Sequence, residues 1–119
     1  GLLASWKRIE DEGHEVGNHS WSHSQTLATA DKATWQTEID KTNQRLVDQV
    51  GVERCKIAGF RAPYLGFSQA SFDAIRAANM QYDTSIEFGF GAWLPAGTTQ
   101  ALLPVNVSMA RPCQRTAPP

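Results

Sequence analysis

Apolar residues recur at three- and four-residue steps in three stretches of the chain, with short apolar runs standing between them. Leu2, Leu3, Trp6 and Ile9 form the first stripe, opposite Lys7, Arg8, Glu10, Asp11 and Glu12. The pattern predicts an amphipathic helix stopped by Gly13 as a C′ glycine. Residues 15–19 follow after almost no loop and read as a short buried strand. Ser24 to Ala30 is a small polar loop with a helix cap at Thr29 or Asp31. Trp35, Ile39, Leu46 and Val50 trace the second stripe, ended by Gly51, and the charges between them read as an ordinary solvated face.

Residues 56–61 read as a second strand, which Pro63 prevents from extending its ladder. Ser68 caps a third helix carrying Phe72, Ile75 and Ala78, and residues 81–85 complete a third strand. Helix, strand, helix, strand, helix, strand in alternation argues a parallel α/β sheet or barrel, although three strands do not close one. From residue 89 the character changes. Gly89 to Pro95 and the prolines at 104, 112, 118 and 119 show neither period, and only residues 102–105 read as an edge strand. The expectation is an α/β domain over residues 1–88 and an irregular, poorly ordered tail over 89–119.

Composition narrows the function classes. The chain has 119 residues, a formal net charge of −1 and no basic patch interleaved with aromatics, which argues against a nucleic-acid partner. No apolar run approaches the ~20 residues of a membrane span. The chain starts with Gly1 in a helical pattern, as an excised piece of a longer protein would. Cys55 and Cys113 are too few for a disulfide framework, though they can pair in an oxidising compartment. Asn18-His19-Ser20 and Asn106-Val107-Ser108 match the glycosylation sequon, and the first is discounted because a glycan there would block the site developed next.

All three histidines fall between Gly13 and His23. His19 and His23 stand four apart, and in a helical turn such a pair projects from one face, with Cβ atoms about 5–6 Å apart. Two imidazole nitrogens can then reach one ion at about 2.0–2.1 Å each. Two histidines at this spacing also describe a solvated face, and a catalytic zinc usually takes about three protein ligands. Helix and strand geometry direct Asp11, Glu12 and Glu15 away from the position of a third ligand, and His14 reads as a cap or packing residue. A second constellation, Phe60-Arg61-Ala62-Pro63-Tyr64, ends the following strand, where a parallel sheet brings neighbouring strand ends together.

Together, His19-Ser20-Trp21-Ser22-His23 and Arg61-Ala62-Pro63-Tyr64 resemble the H-[ST]-x-x-H and R-x-P-[YFW] motifs of the polysaccharide deacetylases of the NodB-homology type, carbohydrate esterase family 4. The resemblance covers about residues 2–88. It implies an incomplete distorted (β/α) barrel and hydrolytic removal of acetyl groups from chitin, peptidoglycan or acetyl-xylan. It further implies a divalent metal, foremost Zn²⁺ with Co²⁺ or another ion as alternatives, held by His19, His23 and an aspartate. Arg61 matches the arginine that orients the catalytic aspartate, and Tyr64 the residue whose backbone N–H stabilises the oxyanion. Pro63 is implied in the wall of the substrate groove, Ser20 in bracing the loop and Asn18 in backing the ligands. Trp93 is a further candidate for lining a sugar groove.

Departures bear on competence. No T-F-D-D-like stretch supplies the base and metal aspartate, no histidine follows His23 to act as general acid, and the D-x-x-D-W pattern is absent, with Asp83 a poor substitute. The isolated chain is therefore expected to be inactive, and its exposed strand edges and apolar helix faces to make it self-associate. A superfamily amidase acting on small amides and a non-catalytic carbohydrate-binding module are the alternative readings. The polymeric substrates imply a parent protein at work in the extracellular space, the periplasm or the cell wall.

Overall fold

A computed structural model describes residues 1–86. Three helices, α1 (Leu2–Asp11), α2 (Lys32–Arg45) and α3 (Gln69–Ala77), alternate with three extended segments, of which β1 (Gly59–Phe60) and β2 (Tyr82–Asp83) form a parallel pair. The register sets Gly59 beside Tyr82 and Phe60 beside Asp83, and Asn18 bridges Phe60 in parallel from the other side. The strand ends thus lie in the order Asn18, β1, β2, with helices between them along the chain.

Each helix is bounded by local chemistry. α1 closes with the His14 N–H on the Ile9 carbonyl at 3.2 Å and the Gly13 N–H on the Glu10 carbonyl at 3.0 Å, Gly13 taking φ 85°. This is the paired C-terminal arrangement that favours glycine. Asp31, rather than Thr29, caps α2, its carboxylate accepting the Thr34 N–H at 2.8 Å. α2 then widens into a π turn, Leu46–Val50, which Gly51 ends at φ 88°. Ser68 and Ser71 form a reciprocal capping box on α3. That helix ends through Asn79 at φ 54°, with the Met80 N–H on the Ile75 carbonyl.

The core gathers Trp35 and Ile39 of α2, Phe72, Ala74 and Ile75 of α3, and Val16, Ile57, Phe60 and Met80 from the strands and their flanks, all buried. Trp35 meets Phe60 edge-to-face with centroids 6.0 Å apart. α1 has the predicted apolar stripe, but none of its residues is buried: Leu2 is 76 % exposed and Leu3 47 %.

The strands are shorter than the pattern predicts. Residues 15–19 contribute one bridge, because only the Asn18 N–H to Gly59 carbonyl bond (2.8 Å) and the Arg61 N–H to Asn18 carbonyl bond (3.1 Å) join them to β1. Residues 54–56 turn as a 3₁₀ segment before β1, which removes Lys56 from the expected strand. The expected tail over 89–119, with Trp93, Cys113 and the second sequon, lies outside the described residues.

Candidate functional site

The two histidine rings are brought together by a loop rather than by a helical face. Residues 19–23 form a loop, bent at Trp21 and Ser22, in which Ser20 (φ 66°) and His23 (φ 53°) occupy the left-handed region, so the i,i+4 helical picture does not hold. The reason is the supply of acceptors. The Ser20 N–H donates to Asn18 Oδ1 at 2.9 Å, and the His23 N–H to Ser20 Oγ at 3.1 Å. The Trp21 and Ser22 N–H groups both donate to Glu38 Oε2, at 2.9 and 2.7 Å. Local side-chain acceptors of this kind compete with helical bonding and fold the chain back on itself.

The imidazoles of His19 and His23 lie with centroids 4.9 Å apart at an interplanar angle of 64°. His19 Nδ1 is 2.7 Å from the Arg61 carbonyl oxygen. A carbonyl can only accept, so Nδ1 carries the proton and the lone pair of the neutral ring is on Nε2. An outer partner that fixes the tautomer in this way is the common companion of a metal-binding histidine. An ion 2.0–2.1 Å from a ring nitrogen stands about 3.2 Å from the centroid, which puts two ligands at a tetrahedral angle about 5 Å apart by centroid. The separation of His19 and His23 fits. Among the described residues no group of three histidine, cysteine, aspartate or glutamate side chains gathers at one point.

Asn18 is the buried hinge of this arrangement. It is 2 % exposed and its Nδ2 donates to the Ile39 carbonyl (2.9 Å) and to Asn43 Oδ1 (2.8 Å), both on α2. The strand end, the loop and the helix are thereby locked to one side chain.

Arg61-Ala62-Pro63-Tyr64 stands at the end of β1, beside the histidine loop. Pro63 is buried and opens the 3₁₀ turn Pro63–Leu65, in which Tyr64 and Leu65 both take φ 55°. The Tyr64 ring, 60 % exposed, meets the His23 ring with centroids 4.9 Å apart. Four of the five non-glycine residues with positive φ among those described, Ser20, His23, Tyr64 and Leu65, therefore border the site. Such residues cluster where surrounding contacts over-determine a functional geometry.

The third strand end supplies a brace. Ser85 Oγ accepts the Ala62 N–H at 2.8 Å and donates to Asp83 Oδ1 at 2.5 Å, which joins β2 to the turn that carries Arg61. Burial pushes the Asp83 carboxyl above the usual carboxylate range, against the lowering pull of its Ser85 and Thr84 hydrogen bonds and of the Arg61 guanidinium. At the other end of the strands, Gly13, His14, Glu15, Lys56 and Gln81 border a cavity whose lining includes neither His19 nor His23. There Tyr82 donates to the Glu15 carboxylate across Gly59, and that bond raises its hydroxyl pKa to about 12.

The sequence pattern puts Glu38 on the solvated face of α2. The structure corrects this: one carboxylate oxygen takes two backbone donors and Ser22 Oγ at 3.0 Å. Its position immediately before Ile39 and one turn after Trp35, on the shoulder of the buried stripe, was the available signal.

Residues 4–82 match the family model described as Polysaccharide deacetylase. The chain is 33 % identical over 78 residues to the uncharacterized protein YlxY of Bacillus subtilis (strain 168), a match covering 66 % of this chain and 23 % of that protein. It is 44 % identical over 48 residues to an uncharacterized 30.6 kDa protein in the fumA 3'region of Geobacillus stearothermophilus, covering 40 % of this chain and 17 % of the other. The chain thus spans less than a quarter of the length of these two relatives. Among solved structures it is similar to the Xyl-CE4 domain of a multidomain xylanase from the hindgut metagenome of Trinervitermes trinervoides. The TM-score is 0.55 at 23 % identity, covering 62 % of this chain and 34 % of that one. At that identity the likeness speaks for the fold, and the expected partial α/β architecture of the NodB type holds.

Proposed function

Since the chain belongs to the polysaccharide deacetylase family, we propose that it contributes part of a metal-dependent centre that removes acetyl groups from an acetylated polysaccharide. The observation that carries this reading is the pairing of the rings. His19 is held through Nδ1 with Nε2 left as its lone-pair nitrogen, and His23 stands 4.9 Å away by centroid. His19 and His23 would hold a divalent ion, Zn²⁺ foremost, with the remaining ligands coming from beyond the described residues. When bound, such an ion supplies Lewis acidity and a water of lowered pKa.

The chain's own groups then position and polarise. The Arg61 backbone sets the His19 tautomer through its carbonyl, while its guanidinium places fixed positive charge where it acts on Asp83. The turn that starts at Pro63 carries the Tyr64 backbone N–H, which would donate to the acetyl oxygen, where negative charge develops. Loss of one such donor costs roughly 2.7–4 kcal/mol in other acyl-transfer sites. The exposed Tyr64 ring forms a flat wall beside His23 on which a sugar ring can lie. Acetylated polymers of this kind place the parent protein's work outside the cytoplasm.

The test is a Zn²⁺ titration of the chain against a chromogenic chelator, alongside His19→Ala and His23→Ala. Saturable binding lost in both variants supports the reading, and binding that survives both removes it. Acetate release from acetylated chito-oligosaccharides, compared with small amides, then separates a polysaccharide deacetylase from an amidase. Chelator-insensitive glycan binding without acetate release would point to a carbohydrate-binding module instead.

A further inference from the structure

We infer that Glu38 is a positioning residue for the two imidazoles, setting the strength and geometry of metal binding through its bonds to the loop between them. The inference rests on the metal reading of His19 and His23. Four consecutive amides, Ser20 to His23, find side-chain acceptors: Asn18 for Ser20, Ser20 for His23, and Glu38 for both Trp21 and Ser22. Asn18 and Ser20 belong to the histidine segment itself. Glu38 alone among the acceptors comes from a separate element, and it holds the middle of the loop, between the two rings.

The anchor is rigid because its neighbours are. Trp35 and Ile39 of α2 are fully buried, and the Ile39 carbonyl and Asn43 side chain of the same helix hold Asn18. α2 therefore grips the loop at its base through residues 39 and 43 and at its apex through residue 38. Trp21 and Ser22 are themselves exposed, so releasing the apex opens their amides to water and vacates no core. What the apex bonds maintain is the left-handed backbone at Ser20 and His23, from which an L-residue relaxes when it is freed. Relaxation at His23 swings its ring away from His19. The consequence is a split: metal affinity depends on Glu38 far more than folding does.

The experiment is Zn²⁺ binding and thermal melting of the metal-free full chain, for the wild type, Glu38→Ala and Glu38→Gln. Outer partners of metal-binding histidines are worth roughly 10–100-fold in affinity, and a loss of that size is expected in E38A. The metal-free melting temperature of E38A should stay within about 2 °C of wild type. Gln keeps a carbonyl oxygen to accept the same donors without the charge, so E38Q should recover most of the affinity. E38A binding as tightly as wild type overturns the inference, and so does E38Q falling as far as E38A, which would make Glu38 a matter of charge. If the wild type binds no Zn²⁺, the metal reading is lost. Amide exchange in the metal-free chain then still tests the clamp: equal rates at Trp21 and Ser22 in wild type and E38A would dismiss it.

Discussion

Replacing Asn18 by alanine removes the one side chain through which the strand end, the histidine loop and α2 are joined. Its Nδ2 uses both hydrogens, on the Ile39 carbonyl and on Asn43 Oδ1, and its Oδ1 takes the Ser20 N–H. The Ile39 carbonyl lies within α2, so its loss is small. Asn43 is 3 % exposed, and its remaining partner is the Met80 sulfur at 3.9 Å, a weak acceptor. It is therefore stranded in the core, and the half-buried Ser20 N–H is stranded with it. At about 1–3 kcal/mol for each unsatisfied buried group, the two losses come to roughly 2–6 kcal/mol, water access at Ser20 favouring the lower half. That is a large share of a small domain's total of about 5–15 kcal/mol. Urea unfolding followed by far-UV circular dichroism gives the number, and an unchanged slope would show that the transition itself is the same. Adding Asn43→Ala should recover part of the loss, because the double variant leaves no stranded side-chain amide, only the Ser20 N–H. A coupling of about 1–2 kcal/mol is expected between two residues in direct contact. A cost for N18A below about 1 kcal/mol, or a cycle additive to within about 0.3 kcal/mol, would refute the account of Asn18 as a buried, fully used bracket.

Three further outcomes follow from the described contacts. Asp83 has a folded-state pKa raised chiefly by burial, so its neutral form suits the fold and the stability it contributes is lost as pH rises through that pKa. Wild type should therefore lose stability relative to Asp83→Asn as pH rises above the ordinary aspartate value of 3.8, and a difference that shrinks as pH rises would be the contrary result. The chain has two tyrosines, so Tyr64→Phe leaves Tyr82 alone to report in an ultraviolet titration. Its midpoint is expected near 12 and should fall toward 10 in Glu15→Gln, since the Glu15 hydrogen bond is the main cause of the shift. The apolar stripe of α1 should drive concentration-dependent association. Trp6→Lys should shift sedimentation toward the smaller species, since Leu2, Leu3, Trp6 and Ile9 are all exposed. Identical profiles for the two proteins would exclude α1 from the contact.

Periodicity revealed the helices because each is specified by its own segment. Ile39 and Trp35 mark the buried side of α2, while Gly13, Gly51 and Ser68 mark helix ends by backbone and capping chemistry that needs no tertiary context. Strand length was less legible, since a ladder exists only where a neighbour opposes it. Glu15 and Val16 have strand character in sequence, yet the bridge to β1 forms at Asn18 alone. The site divides along the same line. The two motifs stand out in the chain because their residue types and spacing are rare together, but the geometry between them depends on groups that spacing does not flag. The His19 tautomer is set by a main-chain carbonyl at Arg61, an atom every residue has, so sequence carries no mark of it. The turn at Ala62 is braced by Ser85, 23 positions downstream, through an ordinary hydroxyl. Glu38 is the sharpest case, because a carboxylate on a helix shoulder looks the same whether water or two backbone amides answer it. What separates the two is whether a loop rich in unpaired donors folds against that turn of the helix. Left-handed Ser20 and His23 create such donors, and that conformation, although histidine adopts it more often than most residues, has no sequence mark at a serine. A search for acidic residues one helical turn past a buried tryptophan, downstream of a histidine pair, would have found Glu38, and only a folded structure explains why it should be sought.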